Sequence, residues 1–175
     1  MNYTKERTRQ LIMQATKQML EKQYFESITV RDICACTKIH RSTFYRHYED
    51  KYQLLVDLLN YYAIEINEYT EKCATQEEIY RAALDFVDER RKVFRHMLRN
   101  RNEALKTFTE SYSKAMLAAA YKGDTPRAKH IRTTTYPQII CDFYSNGLIT
   151  VIMKWLNDDY PLSKEDFIEA LIETI

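Results

Sequence analysis

Between His40 and Lys51 the chain reads "HRSTFYRHYEDK", which sets His40, Arg41, Arg46, His47 and Lys51 among Phe44, Tyr45 and Tyr48. Arginine can meet a guanine edge with two parallel hydrogen bonds, while phenol and ammonium groups hold phosphates. Short side chains at Ser42 and Thr43 let a helix approach a groove closely. The chemistry on offer is recognition of a polyanion, with Arg41 toward base edges and Tyr45 and Lys51 toward phosphates. An amphipathic helix with a solvated basic face is the opposing reading, and spacing and charge alone leave it open. Elsewhere there is no nucleophile motif, glycine-rich phosphate loop or cluster at metal-ligand spacing. An enzyme, a cofactor or a bound metal is therefore not expected.

The elements that must position this segment are helices. Thr29 with Asp32 forms a Thr-x-x-acid capping box that opens a short helix carrying Val30, Ile33, Cys34 and Ala35. "TKI" makes a tight turn, and a second short helix runs from about Arg41 to Arg46 with Phe44 facing inward. A longer helix braces each side. One is capped at Thr4 and ends near Gln23; the other is opened by Asp50 and striped by Leu54, Leu55, Leu58, Leu59, Ala63 and Ile66. Two short helices across a tight turn between longer ones form a helix-turn-helix, whose second helix enters the major groove N-terminus first.

Composition agrees. With only two glycines and three prolines in 175 residues, long helices joined by short turns are the natural outcome. No apolar run approaches the roughly 18 residues of a membrane span, and "MNYTKERTRQ" is unlike a signal peptide, so no membrane partner and a cytoplasmic location are expected. Cys34, Cys36, Cys73 and Cys141 are then reduced thiols. The Cys34–Cys36 pair has no second pair at zinc spacing, and residues two apart on a helix face different ways. Residues 1–51 carry ten cations and six anions; the net +1 of the whole chain is thus +4 on this third and −3 on the remainder. A basic reader on an acidic body is the pattern of a DNA-binding domain joined to a regulatory one. The expected division is residues 1–50 and 51–175.

"ITVRDICACTKIHRSTFYRHYEDKYQLL" resembles the DNA-binding domain of the tetracycline-repressor (TetR) family of transcriptional regulators. The shared features are a Thr cap, Arg-Asp-Ile, a turn, a helix carrying Thr-Phe-Tyr-Arg-His-aromatic, and Asp-Lys before Leu-Leu. The resemblance implies contact with double-stranded DNA by Thr29, Lys38, His40, Arg41, Ser42, Thr43, Tyr45, Arg46 and Lys51. Where the family has Gly in the turn and Ser at the next cap, this chain has Lys38 and His40. Lys38 must then adopt a conformation that Gly takes about 1 kcal/mol more cheaply, and His40 caps less well than Ser. Contact of both side chains with phosphates would offset those losses.

The remaining sequence predicts five more helices, for about nine in all and an all-α fold. "TQEEIYRAALDFVDERR" is capped at Thr75 with Glu78, "KVFRHMLR" is short, and "NEALKTFTESYSKAMLAAAYK" stops at Gly123. "GDTPRAKHIRTTT" is read as a polar connector. A helix from Pro137 to the "NDDYP" stop follows, and Ser163 with Asp166 caps the last. Ile140, Phe143, Tyr144, Gly147, Leu148, Val151, Ile152 and Trp155 on one, with Phe167, Leu171, Ile172 and Ile175 on the other, exceed the needs of one small core. Part of this surface is expected to meet a second subunit, with Phe143, Gly147, Leu148, Val151, Trp155, Phe167 and Leu171 in the interface. A fully internal helix is the alternative.

"DFYSNGLITVIMKWLNDDYPLSKEDF" and "VDERRKVFRHML" are similar to a branch of the same family with a short all-helical C-terminal domain. That resemblance implies a homodimer, a palindromic operator, repression more than activation, and control by a small molecule or a protein partner. Tyr62, Phe86, Phe94, Phe108, Tyr112 and Tyr144 are candidates for lining an effector pocket, unless they are simply core. The run Arg90, Arg91, Lys92, Arg95, His96, Arg99 and Arg101 is read as a solvated face, with an anionic effector or acidic partner as the alternative.

Overall fold

In a computed structural model that describes residues 2–99 and 102–173, the chain is all helical. The order is α1 (Asn2–Leu20), a 3₁₀ turn (Phe25–Ser27), α2 (Val30–Thr37), α3 (Arg41–Tyr45), α4 (Lys51–Glu71), α5 (Gln76–Asp88), α6 (Arg91–Leu98), α7 (Asn102–Lys122), α8 (Pro126–Thr133), α9 (Pro137–Leu156) and α10 (Lys164–Ile172).

The helix starts follow from side chains that satisfy exposed N–H groups. Thr29 and Thr75 each form a full capping box, with Asp32 and Glu78. The Asp50 carboxylate accepts from the N–H groups of Tyr52 and Gln53, both at 2.8 Å, and Ser163 accepts from Asp166. α1 already begins at Asn2, so Thr4 lies within the helix and is not its cap. Among the described residues ten helices replace the nine expected, because the stretch read as a connector contains α8. Thr125 caps it, Pro126 takes the first helical position, and Ala128 and Ile131 are buried. A helix of eight residues with one narrow apolar edge is easily hidden by its polar neighbours.

α4 is the spine of the molecule. Its first half closes the helix-turn-helix over Ile12, Leu20, Ile33 and Phe44, and its second half packs against α5 and α7. α7 continues the contact to α8 and α9, and α10 lies on α5. α7 does stop before Gly123, but not through a left-handed glycine, since no described glycine has positive φ. A side chain there would come within 2.7 Å of Glu71 Oε1 at the end of α4. The last carbonyls of α7 are instead bound by Arg132, which reaches Ala120 O and Gly123 O.

One expectation about membranes needs correction. α9 is long and apolar enough in composition to cross a bilayer. Here it packs on α7 and α8 through Cys141, Ser145, Ile149, Ile152 and Met153, and its exposed side includes Asp142 and Lys154.

The cysteines divide by burial. Cys34 and Cys141 are buried, Cys73 is partly covered, and Cys36 is exposed. Burial pushes the thiols of Cys34, Cys73 and Cys141 above the ordinary value, which disfavours the reactive thiolate. Ellman's reagent on the native protein should therefore label one thiol quickly, and peptide mapping should find it at Cys36. Equal rates at Cys36 and Cys141 would contradict this burial pattern.

Candidate nucleic-acid interface

The turn between α2 and α3 is closed by a single left-handed residue. Lys38 adopts φ 55° and ψ 34°, and its N–H closes on Cys34 O. Thr37 supports the bend from inside, its hydroxyl donating to Ile33 O at 2.7 Å. α3 starts at His40, whose carbonyl accepts from Thr43 and Phe44 while its imidazole makes no capping bond. Both departures from the expected Gly and Ser thus leave an exposed cationic or polar side chain at the mouth of α3.

α3 has only five residues, and Phe44 fixes it. Phe44 is fully buried and packs on Tyr48 at 5.6 Å between ring centres. Tyr48 is in turn buried beside the ion pair of Arg9 with Asp57, whose N–O distance is 2.8 Å and which ties α1 to α4. The opposite face carries Arg41, Ser42, Thr43, Tyr45 and Arg46, all exposed or partly so, with Tyr45 at 55%. Arg46 Nη2 donates to Thr43 Oγ1 at 3.0 Å, which holds the guanidinium along the helix.

A cleft of about 400 Å³ adjoins this face, lined by Lys5 and Thr8 of α1 with Thr43, Arg46 and His47. Lys5 and Thr8 were not singled out by sequence reasoning, and His47 was noted without a role. A Lys5–Thr8 spacing of three on the first helix was the available signal, but only folding brings it against α3. Burial, helped by Lys5, Arg46 and Arg9, pushes the His47 imidazole below its ordinary value.

Two sequence candidates have other work. The Lys51 ammonium is occupied within the chain. Its three donors go to the carbonyls of Phe25, Glu26 and Ile28 at 3.2, 2.9 and 3.0 Å. The side chain is only 17% exposed, and burial lowers its pKa. Asp-Lys at the start of α4 is a clamp on the preceding loop. Thr29 is exposed but committed to its capping box, with its hydroxyl 2.5 Å from Asp32 Oδ2.

The expected contact surface with a second subunit divides similarly. Phe143 is 75% exposed, and Tyr136 and Ile139 stand beside it on the same stripe of α9. Gly147 is exposed, with nothing within 4 Å of where a Cβ would stand, and Leu148 and Val151 are half-buried. Trp155, Phe167 and Leu171 instead lie inside the chain. Trp155 stacks on Phe167 at 5.5 Å and donates from Nε1 to Leu162 O. α10 turns an acidic face outward through Glu165, Asp166 and Glu169. Ile175 lies outside the described residues.

Tyr62, Phe86 and Phe108 pack around Phe94 in a filled aromatic cluster, with ring contacts to Phe94 of 5.1, 6.2 and 5.7 Å. Tyr112 and Tyr144 do face a cavity, between α7 and α9. The basic run is not a solvated face, because most of its members are tied into the body. Arg90 lies over Phe86 and reaches Glu65 and Glu89, while Arg91 lies over Trp155 and pairs with Asp88 and Asp158. Arg95 also reaches Asp158. His96 Nδ1 lies 2.6 Å from Leu20 O and Arg99 donates to the Tyr24 hydroxyl, so α6 holds the end of α1. A carbonyl can only accept, so this nitrogen carries the proton. Lys92 is exposed, and Arg101 lies outside the described residues.

A short exposed helix set by a tight turn and anchored from behind is the geometry of a helix-turn-helix DNA-binding protein. Comparison with known proteins agrees. Residues 12–58 match the bacterial regulatory proteins of the tetR family, and residues 74–175, more than half of the chain, match a transcriptional regulator C-terminal region. The chain belongs to the TetR family of transcriptional regulators, which are not enzymes. No curated protein matches it. Among solved structures it is similar to the dihydroxyacetone kinase operon activator DhaS (14% identity, 95% of this chain and 93% of that one, TM-score 0.62). It is also similar to a TetR-family regulator from Syntrophomonas wolfei (19%, 99% and 94%, TM-score 0.61). A third is NalD, secondary repressor of the MexAB-OprM multidrug efflux pump in Pseudomonas aeruginosa (16%, 97% and 95%, TM-score 0.55). At these identities the likeness concerns the fold.

Lys38 provides a direct test of the turn. Lys38→Gly should stabilise the protein by about 1 kcal/mol, by removing the left-handed strain, yet weaken DNA binding through loss of a cation. Denaturant unfolding and DNA titration measure the two effects separately, and unchanged DNA affinity would remove Lys38 from the interface.

Proposed function

We propose that the chain is a homodimeric repressor that binds a palindromic operator in double-stranded DNA and is released by an effector. The exposed α3 carries this reading: Arg41, Ser42, Thr43, Tyr45 and Arg46 face outward from a buried anchor, with Lys38 and His40 at the helix mouth. Arg41 at the first turn is placed for a base edge, and Tyr45, Arg46 and the Lys5–His47 cleft are placed for phosphates. Thr29 serves by capping α2, and Lys51 by holding the loop ahead of it.

Pairing through α9 supports the dimer. A run of Tyr136, Ile139, Phe143 and Gly147 exposed on one helix is costly in water, and a second copy would cover it. Two-fold pairing sets the two recognition helices toward half-sites about 34–36 Å apart, or a multiple of that. Functionally, residues 1–50 are the reader and residues 51–175 the body that senses and pairs, with α4 shared between them. The place of action is the cytoplasm, where bacterial DNA lies. Repression is favoured over activation by family habit alone, since a structural relative is an activator. Control by a protein partner is the second reading, and the filled aromatic cluster around Phe94 supports it.

A selection from a random duplex library at near-physiological salt tests operator binding. The native protein should enrich a palindrome and Tyr45→Ala should not; no enrichment by a well-folded dimer would overturn the reading. The dimer is tested by Phe143→Glu, which should give a folded monomer in light scattering and weaken operator binding by about tenfold or more, since the two half-sites would no longer be linked. A Phe143→Glu dimer of unchanged stability would place the interface elsewhere.

A further inference from the structure

Beside the filled aromatic cluster, a cavity of about 260 Å³ opens where α5 begins. Tyr112 and Met116 of α7, Ile131 of α8, and Ile140, Tyr144 and Leu148 of α9 wall it. It is small beside the roughly 300–1,000 Å³ of sites for drug-sized molecules. One ring or a short branched chain is the scale it suits.

Its charge is more specific than its shape. Arg127 lines the cavity and is half-buried, yet among the described residues no carboxylate lies within ion-pair distance of it. Its guanidinium meets only neutral groups, Thr70 Oγ1 at 3.5 Å and Asn67 Oδ1 at 3.3 Å, both long contacts. Of the nearby acids, Glu78 accepts from the N–H groups of Ala74 and Thr75, and Glu71 lies across a smaller void beside Gly123, outside ion-pair distance of Arg127. Arg9, Arg90, Arg91, Arg95 and Arg132 each have a carboxylate partner. A half-buried cation without one, set against apolar walls, is suited to pair with an anion.

We propose that this cavity binds a small apolar carboxylate, with the anionic end on Arg127 and the hydrocarbon body against Tyr112, Met116 and Leu148. The proposal rests on the reading of the chain as an effector-controlled regulator. A monoanion fits better than a phosphate, whose second charge would find only the exposed His130. Ile140, Tyr144 and Leu148 alternate along α9 with Ile139, Phe143 and Gly147, so one helix forms both the cavity wall and the exposed apolar stripe. Ligand binding is thereby placed to alter subunit pairing.

The test is calorimetric titration of the full-length protein with benzoate, phenylacetate and hexanoate, each paired with its neutral amide. At least one acid should bind, and its amide should bind about tenfold or more weakly, as expected for loss of a charge-assisted hydrogen bond. Arg127→Gln should remove the preference for acid over amide and Arg127→Lys should keep it, while Leu148→Trp should block both by filling the cavity. Should Arg127→Gln fail to fold, the acid–amide comparison on the native protein decides. Equal binding of acid and amide, or no binding of any acid up to millimolar concentration, overturns the proposal. Operator affinity is measured on the same preparation without ligand. Acid binding without operator binding would fault the regulator reading and support the pocket; operator binding without acid binding would fault the pocket alone.

Discussion

A five-residue helix has no stability of its own, because nucleating it costs more than its few hydrogen bonds return. The recognition surface therefore depends on the burial of Phe44. That ring is held by Ile12, Ile33, Tyr48 and Leu54 in one continuous core, and it converts the stability of three longer helices into a fixed position for Arg41 to Arg46. Without a rigid support, side chains aimed at bases lose more in ordering than they gain in contact. The Arg9–Asp57 pair and the three-carbonyl clamp of Lys51 serve the same end from either side.

What could be read from the sequence was what local rules determine. Thr29, Asp50, Thr75 and Ser163 cap helices because a side-chain oxygen beside free N–H groups acts within four residues, and each is visible in the sequence. The left-handed Lys38 was legible only through the family resemblance, which puts Gly at that position of the turn. The structural role of Lys51 was not legible, because its type and place suit a phosphate equally well and only the fold shows three carbonyls converging on its ammonium. Trp155 and Phe167 were placed on the outside because helical phasing reveals an apolar face without saying which neighbour covers it. The partnership of Lys5 with His47 spans more than forty residues and leaves no local trace.

Charge in the body acts as fastening as well as surface. Arg90 and Arg91 lie over Phe86 and Trp155 while reaching acids beyond them, so each guanidinium covers apolar area and satisfies hydrogen bonds together. His96 and Arg99 carry the fastening across to the end of α1. Against that background Arg127 stands apart. It is as enclosed as the others, but what it holds is the far end of α4.

α4 has 21 residues, which at about 1.5 Å each make a rod some 30 Å long. Its N-terminal end is pinned to the reading domain by Lys51 and Asp57, and Asn67 and Thr70 near its other end face Arg127. A rod of that length works as a lever. Tilting it by roughly four degrees about its middle moves each end by about 1 Å, and by about 2 Å if the pivot lies at one end. Two-fold symmetry would double the change in separation between paired reading heads. A shift of that size is comparable with the whole tolerance of a hydrogen bond, so in the proposed dimer a molecule no larger than a single ring would be mechanically sufficient to move two α3 helices out of step with the grooves of DNA.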